Sequence, residues 1–156
     1  MSDGRIVPIA ELAATHGRIL GVDFGDRRTG LAISDVSRFL ASGIGKVSPG
    51  GIAATTEAVT KIAADGGAGA VAAVVGLPRN MDGTEGARAD RCREFAGMLA
   101  DAAGIPVALV DERLTTVAAS RYLNETDTRG KKRKGVIDSL SAEIILQNAL
   151  DRLKNL

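Results

Sequence analysis

Three short stretches of nearly unbroken apolar residues set the architecture of this chain: RILGVDFG from residue 18, AVAAVVG from residue 70 and IPVALV from residue 105. Each has the length of a strand, and the first and last run directly into carboxylates, Asp23 and the pair Asp111-Glu112. A strand with one wet face alternates apolar and polar residues. A run without alternation is buried on both faces, as in parallel sheets covered by helices.

The segments between these runs supply the rest. Asp26 and Arg27 form a short turn, and RTGLAISD after it, with Leu31 and Ile33, reads as a hairpin partner to the first strand. A third strand near residues 42–48 ends at Pro49-Gly50-Gly51. Ile52, Val59, Ile62 and Ala63 share one face of a helix over 52–65 that Gly66-Gly67 stops. A second helix is predicted over 84–103, with Asp82 and Glu85 as a capping box and Cys92, Phe95, Leu99 and Ala102 on its inner face. A short helix over 114–123, a polar, basic and mobile stretch over 124–135, and a closing helix over 136–156 follow. The expectation is an α/β domain with a five-stranded mixed sheet flanked by helices. Residues 1–17 lack periodicity and read as a partly disordered tail, leaving 18–156 as a single domain.

Composition narrows the functions open to such a domain. At 156 residues, 45% hydrophobic, the chain can bury a core without staples. One cysteine and one histidine exclude a disulfide framework and a Cys/His zinc cage; Cys92 reads as a core residue and His16 as uninvolved in chemistry. No apolar stretch approaches the about 20 residues needed to cross a bilayer, and no leader opens the chain, so a membrane role is not expected and the cytoplasm is the expected compartment. With 20 basic against 19 acidic residues, a nucleic-acid partner has to be argued locally.

Ligands of open α/β sheets gather at the carboxyl ends of the strands, where Asp23 and Glu112 both lie. Asp138, close behind Gly135 in the predicted first turn of the last helix, is the natural third carboxylate. Clustered carboxylates repel unless a hard dication such as Mg²⁺ or Mn²⁺ sits between them, and that arrangement suits metal-assisted hydrolysis of a phosphodiester. Each acid also has an ordinary structural use: Asp23 as a turn former, Glu112 as a solvated neighbour of Asp111, and Asp138 as a partner of the helix dipole. Glu143, Asp35 and Asp26 are rivals that the sequence does not rank.

Basic residues cluster nearby. TRGKKRKG packs Arg129, Lys131, Lys132, Arg133 and Lys134 into a glycine-bounded stretch just before Asp138, suited to phosphates that carboxylates alone would repel. Arg79 and Asn80, in the loop opening the second helix, and Arg113 and Thr115, beside Glu112, are further candidate phosphate contacts. Aromatic residues make up only 3% of the chain, so backbone and shape recognition are expected rather than base stacking.

The blocks GVDFGDRRTGLAISD, VVGLPRNMDGTEG, VDERLTT and VIDSLSAEIIL, in this order over residues 18–150, resemble the signature of the YqgF family of Holliday junction resolvases and pre-16S ribosomal RNA nucleases. The resemblance implies a ribonuclease H-like fold related to the RuvC resolvases. It also implies an acidic, metal-binding triad carried over by position onto Asp23, Glu112 and Asp138. The expected activity is metal-dependent cleavage of structured nucleic acid, with the 5′ end of pre-16S ribosomal RNA favoured over branched DNA. A binding module with little catalytic power is the non-enzymatic alternative. The D-x-G block also resembles the phosphate loop of actin-like and sugar-kinase ATPases, but those close two such domains around the nucleotide, and no Walker A or Rossmann motif is present. Either a monomer or a homodimer is compatible with the sequence.

Overall fold

The computed structural model describes residues 5–64, 66–114 and 131–156, and for residue 114 and residues 131–138 the backbone only. The first apolar run becomes the central strand, β1 (Arg18–Asp23). The hairpin reading holds. β2 (Thr29–Ser34) pairs antiparallel with β1, and β3 (Ala41–Val47) pairs antiparallel with β2. On the other side β4 (Ala70–Leu77) runs parallel to β1, and β5 (Val107–Asp111) runs parallel to β4, giving the order β3-β2-β1-β4-β5. The five-stranded mixed sheet expected from the sequence is therefore the observed one.

Helices α1 (Ile52–Ala63) and α2 (Ala87–Ala103) connect β3 to β4 and β4 to β5. Both cover one face of the sheet, where Leu20, Val22, Val75 and Leu77 meet Val59, Phe95 and Leu99. The last helix, α3 (Lys131–Lys154), covers the other face with Ala142, Ile145, Leu146 and Leu150 against Ile19, Ala72, Val74 and Val110. α3 sits close because the floor beneath it lacks side chains. A Cβ on Gly43 of β3 would overlap Ser139, one on Gly21 of β1 would lie 2.6 Å from Leu146 Cβ, and one on Gly76 of β4 would lie 2.6 Å from Ile145 Cδ1. No helix among the described residues is long and apolar enough to cross a membrane.

Four expectations need correction. Residues 5–14 are not a free tail. Val7 N–H donates to Val107 O and Val107 N–H to Arg5 O, both at 2.9 Å, and a short 3-10 helix, Ile9–Ala14, buries Leu12 completely. The physical reason is the exposed edge of β5, which this segment covers. Second, α2 begins at Ala87 behind Gly86, which makes no side-chain cap; Asp82 instead accepts from the Thr84 N–H and hydroxyl, and Glu85 is taken by arginines. Its buried face includes Ala96 and Ala100, whereas Ala102 is exposed. Third, the closing helix starts at Lys131, five residues before its predicted beginning, so Lys131, Lys132, Arg133 and Lys134 have helical backbone. Lysine and arginine are good helix formers, and one interior glycine, Gly135, costs only about 1 kcal/mol. Fourth, Asp138 consequently lies beyond the first turn, outside the reach of the dipole argument. The helix predicted over 114–123 falls, past the single 3-10 turn Glu112–Leu114, outside the described residues.

Candidate active site

Strand alternation sorts the acids at the carboxyl edge. On β1, Leu20 and Val22 face α1 and α2 while Ile19 and Gly21 face α3, so Asp23 falls on the α3 side. On β5 and just beyond, Leu109 packs with the α2 core and Ala108 and Val110 with the α3 core. Asp111 and Glu112, adjacent in sequence, are thereby sent to opposite faces.

Glu112 turns onto the α3 face and folds over β4. A Cβ on Gly76 would stand 2.9 Å from Glu112 Oε1 and 3.3 Å from its Cγ, so the glycine makes the seat in which this carboxylate rests. Val22 pairs with Val75, and one residue further along these parallel strands Asp23 is beside Gly76. Glu112 is only 9% exposed, and a carboxylate so far from water needs cationic or donor partners. Asp23 is half-buried. The two offer oxygen donors alone, and the side-chain-free seat keeps the Glu112 oxygens at the edge; both features fit a hard dication and not a soft metal. Among the described residues no three acids, histidines or cysteines converge. The backbone of Asp138 is in α3, four residues before Ala142, whose carbonyl oxygen would be 3.0 Å from a Cβ on Gly21; the Asp138 side chain lies outside the described residues.

Two of the rival acids, Asp35 and Asp26, have other occupations. Asp35 sits at the opposite edge of the sheet and accepts from the Phe39 and Leu40 N–H groups at 2.8 and 3.1 Å. Asp26 pairs with Arg91 at 2.6 Å. Asp111 on the α2 side holds Arg113 Nη2 at 2.8 Å and Arg79 Nη1 at 3.7 Å; the Arg113 hydrogen bond, above all, keeps its carboxyl below the usual aspartate range. Glu85 is bound by Arg93 at 2.7 Å and Arg79 at 3.3 Å, and its carboxyl is likewise lowered, chiefly by Arg93.

The candidate phosphate contacts divide accordingly. Arg79 and Arg113 are gathered at one edge but shared with Asp111 and Glu85, and Asn80 Nδ2 donates to Thr84 Oγ1 at 2.9 Å. Thr115 and Arg129 lie outside the described residues, as do the side chains of Lys131, Lys132, Arg133 and Lys134. Sequence reasoning did not identify Gly76 as the seat of Glu112, nor Arg88 and Arg91 as neighbours of the turn after β1. The signal for Gly76 was a glycine interrupting an otherwise wholly apolar strand, which marks a close approach.

A mixed sheet with a central strand flanked by an antiparallel hairpin and two parallel strands, bearing carboxylates at the carboxyl ends of β1 and β5, defines a domain of the ribonuclease H-like class. The structure of Thermus thermophilus RuvC in complex with a Holliday junction substrate superposes with a TM-score of 0.57 at 16% identity, covering 90% of this chain and 97% of that one. A second RuvC structure from the same organism gives 0.54 at 14% identity, over 88% and 96%. At such identities the likeness establishes the fold. A protein of Pelotomaculum thermopropionicum is 44% identical over 135 residues, 86% of each chain, and one of Paracoccus denitrificans is 44% identical over 145 residues, 93% of this chain and 90% of that one. Both carry the name "Putative pre-16S rRNA nuclease". The family described as RuvX, Holliday junction resolvase, matches residues 17–152, and this chain belongs to it.

Proposed function

We propose that this chain is a nuclease that matures pre-16S ribosomal RNA, with Asp23, Glu112 and Asp138 holding a divalent metal ion, Mg²⁺ or Mn²⁺, at the scissile phosphodiester. One observation carries the reading: the Glu112 carboxylate, nearly withdrawn from water, rests over a side-chain-free residue beside Asp23 in the sheet, in a chain whose relatives bear a nuclease name. A bound dication would offset the repulsion between these carboxylates, polarise the phosphate and lower the pKa of a bound water. Asp23 contributes a donor fixed at the end of the central strand, where it pairs with Gly30 of β2. Glu112 contributes one held in a dry seat, where electrostatic interactions are stronger than in water. Asp138, on the helix packed against the same face, completes the set.

Around the carboxylates this chain's cations hold the substrate. Arg129, Lys131, Lys132, Arg133 and Lys134 precede Asp138 and bind flanking phosphates, with an affinity that falls as salt rises. Arg79, Asn80, Arg113 and Thr115 steady the strand near Glu112. Since Arg79 and Arg113 are already shared with Asp111, a phosphate reaching them competes with that carboxylate.

The test is cleavage of end-labelled RNA carrying the pre-16S 5′ end, and of a four-way DNA junction, with Mg²⁺ or Mn²⁺ and with Asp23→Asn in parallel. The expected outcome is metal-dependent cutting of the RNA that disappears in Asp23→Asn while the variant's circular dichroism and RNA binding persist. Cutting of the junction in place of the RNA would establish the second reading, which the family's description favours. A folded wild type that cuts neither, or an Asp23→Asn protein that cuts equally well, would overturn the carboxylate mechanism.

A further inference from the structure

Immediately beyond Asp23 the chain turns away from α3 and builds a second feature on the opposite side of the same edge. Phe24 goes into the α1–α2 core and stacks on Phe95 of α2, ring centroids 4.6 Å apart. That contact ties the exit of β1 to the middle of α2. The turn is fixed further: a Cβ on Gly25 would overlap the Arg28 carbonyl, and Thr29 Oγ1 hydrogen-bonds to the Gly25 backbone at 3.4 Å. Between this turn and the start of α2 is a concavity of about 280 Å³ lined by Phe24, Gly25, Asp26, Arg27, Arg88 and Arg91.

The charge of this concavity is unbalanced. Arg91 is paired with Asp26 at 2.6 Å, whereas Arg27 and Arg88 have no carboxylate partner among the described residues. Three guanidinium groups against one carboxylate leave two positive charges around a depression one to four residues from a candidate catalytic aspartate. Arginine's planar fork of donors suits phosphate oxygens. The α2 terminus adds to this, because Gly86 supplies no side-chain acceptor to the first-turn N–H groups. The other arginines at this edge, Arg79, Arg93 and Arg113, are each bound to Glu85 or Asp111. Among the described residues lining this concavity, Arg27 and Arg88 are therefore cations that a phosphate can reach without displacing a protein carboxylate.

We propose that the concavity formed by Arg27, Arg88 and Arg91 is a phosphate-binding subsite for the RNA backbone, receiving a phosphodiester that flanks the one placed at Asp23. This rests on the nuclease reading and deepens it: the substrate strand crosses the end of β1, with the carboxylates on the α3 side and this subsite on the α2 side. Recognition here is of backbone charge, without base reading.

The experiment is fluorescence anisotropy of labelled pre-16S 5′-leader RNA, and of single-stranded DNA of the same length, titrated with full-length protein in EDTA over a salt series. The proteins are wild type, Arg27→Ala/Arg88→Ala, Arg88→Glu and, as a remote surface control on α1, Lys61→Ala. The double variant is expected to weaken RNA binding at least tenfold at about 0.1 M salt and to lower the slope of log Kd against log salt by about one, the share of a single phosphate. Arg88→Glu should weaken it further, and Lys61→Ala should match wild type. The altered side chains are at the surface, so circular dichroism is expected to be unchanged. Unaltered affinity and slope in both arginine variants, with RNA still cleaved, would overturn the subsite and leave the nuclease reading intact. A wild type that binds DNA but no RNA would overturn the assignment to RNA, and one that binds neither would overturn both readings.

Discussion

Replacing Gly76 by alanine separates the two tasks this residue performs, making room for α3 and seating Glu112. The added Cβ would lie 2.6 Å from Ile145 Cδ1, 2.9 Å from Glu112 Oε1 and 3.3 Å from Glu112 Cγ. Carbon atoms rest at about 3.5–4.0 Å, so Ile145, which is fully buried, must retreat by about 1 Å into packed surroundings. Overpacking of this kind costs about 1–3 kcal/mol. In a domain of this size that lowers the melting temperature by roughly 2–12 °C. The Glu112 carboxylate must move as well, and a misplacement of about 1 Å costs about 100-fold in rate. Gly67→Ala is the control for destabilisation alone, because its Cβ would overlap the Ile62 carbonyl at the end of α1, away from the carboxyl edge. Adding Ile145→Val to Gly76→Ala removes the 2.6 Å contact and leaves the Glu112 contacts. Thermal melts and initial cleavage rates, taken well below every melting point, should then show three patterns. Gly76→Ala loses both stability and rate, Gly67→Ala loses stability alone, and Gly76→Ala/Ile145→Val regains stability without regaining rate. A Gly76→Ala protein that is folded and cleaves at the wild-type rate would refute the reasoning, since Glu112 would then not need its seat.

Two further outcomes test the fold and its electrostatics. Leu12 is fully buried against the α3 core, so Leu12→Ala should cost about 2–5 kcal/mol and lower the melting temperature by roughly 4–20 °C; an unchanged melt would mean that residues 5–14 are not docked. Asp111 is held below the ordinary aspartate range chiefly by its hydrogen bond from Arg113. A depressed folded pKa adds stability that is in place above the unfolded value, about 3.9, and is lost as pH falls through the folded value. Asp111→Asn should therefore melt lower than wild type near neutral pH, with the gap closing below about pH 4; melting curves that stay parallel down the acid range would contradict this account.

Much of the architecture was legible because it depends on local pattern. The unbroken apolar runs ending in Asp23, Gly76 and Asp111 announce strands buried on both faces, and their carboxyl ends indicate where a site belongs. The N-terminal segment was not legible, because a 3-10 helix that buries one leucine leaves no periodic trace. What calls it into place is the edge of β5, about a hundred residues away in the chain. The start of α3 was misread for a related reason: a basic, glycine-bounded sequence looks like a loop when judged on charge, although its residues are good helix formers.

The division is sharpest at the carboxylates. By itself the sequence determined which acids could matter and which strand ends carry them, because residue identity and strand length are local properties. Only the tertiary structure shows how the neighbours Asp111 and Glu112 part. The pleat of β5 sends the first toward Arg79 and Arg113, and the turn after it lays the second over Gly76. The strand order that sets β4 beside β1, and hence Gly76 beside Asp23, comes from packing between segments some fifty residues apart, and no local pattern encodes it.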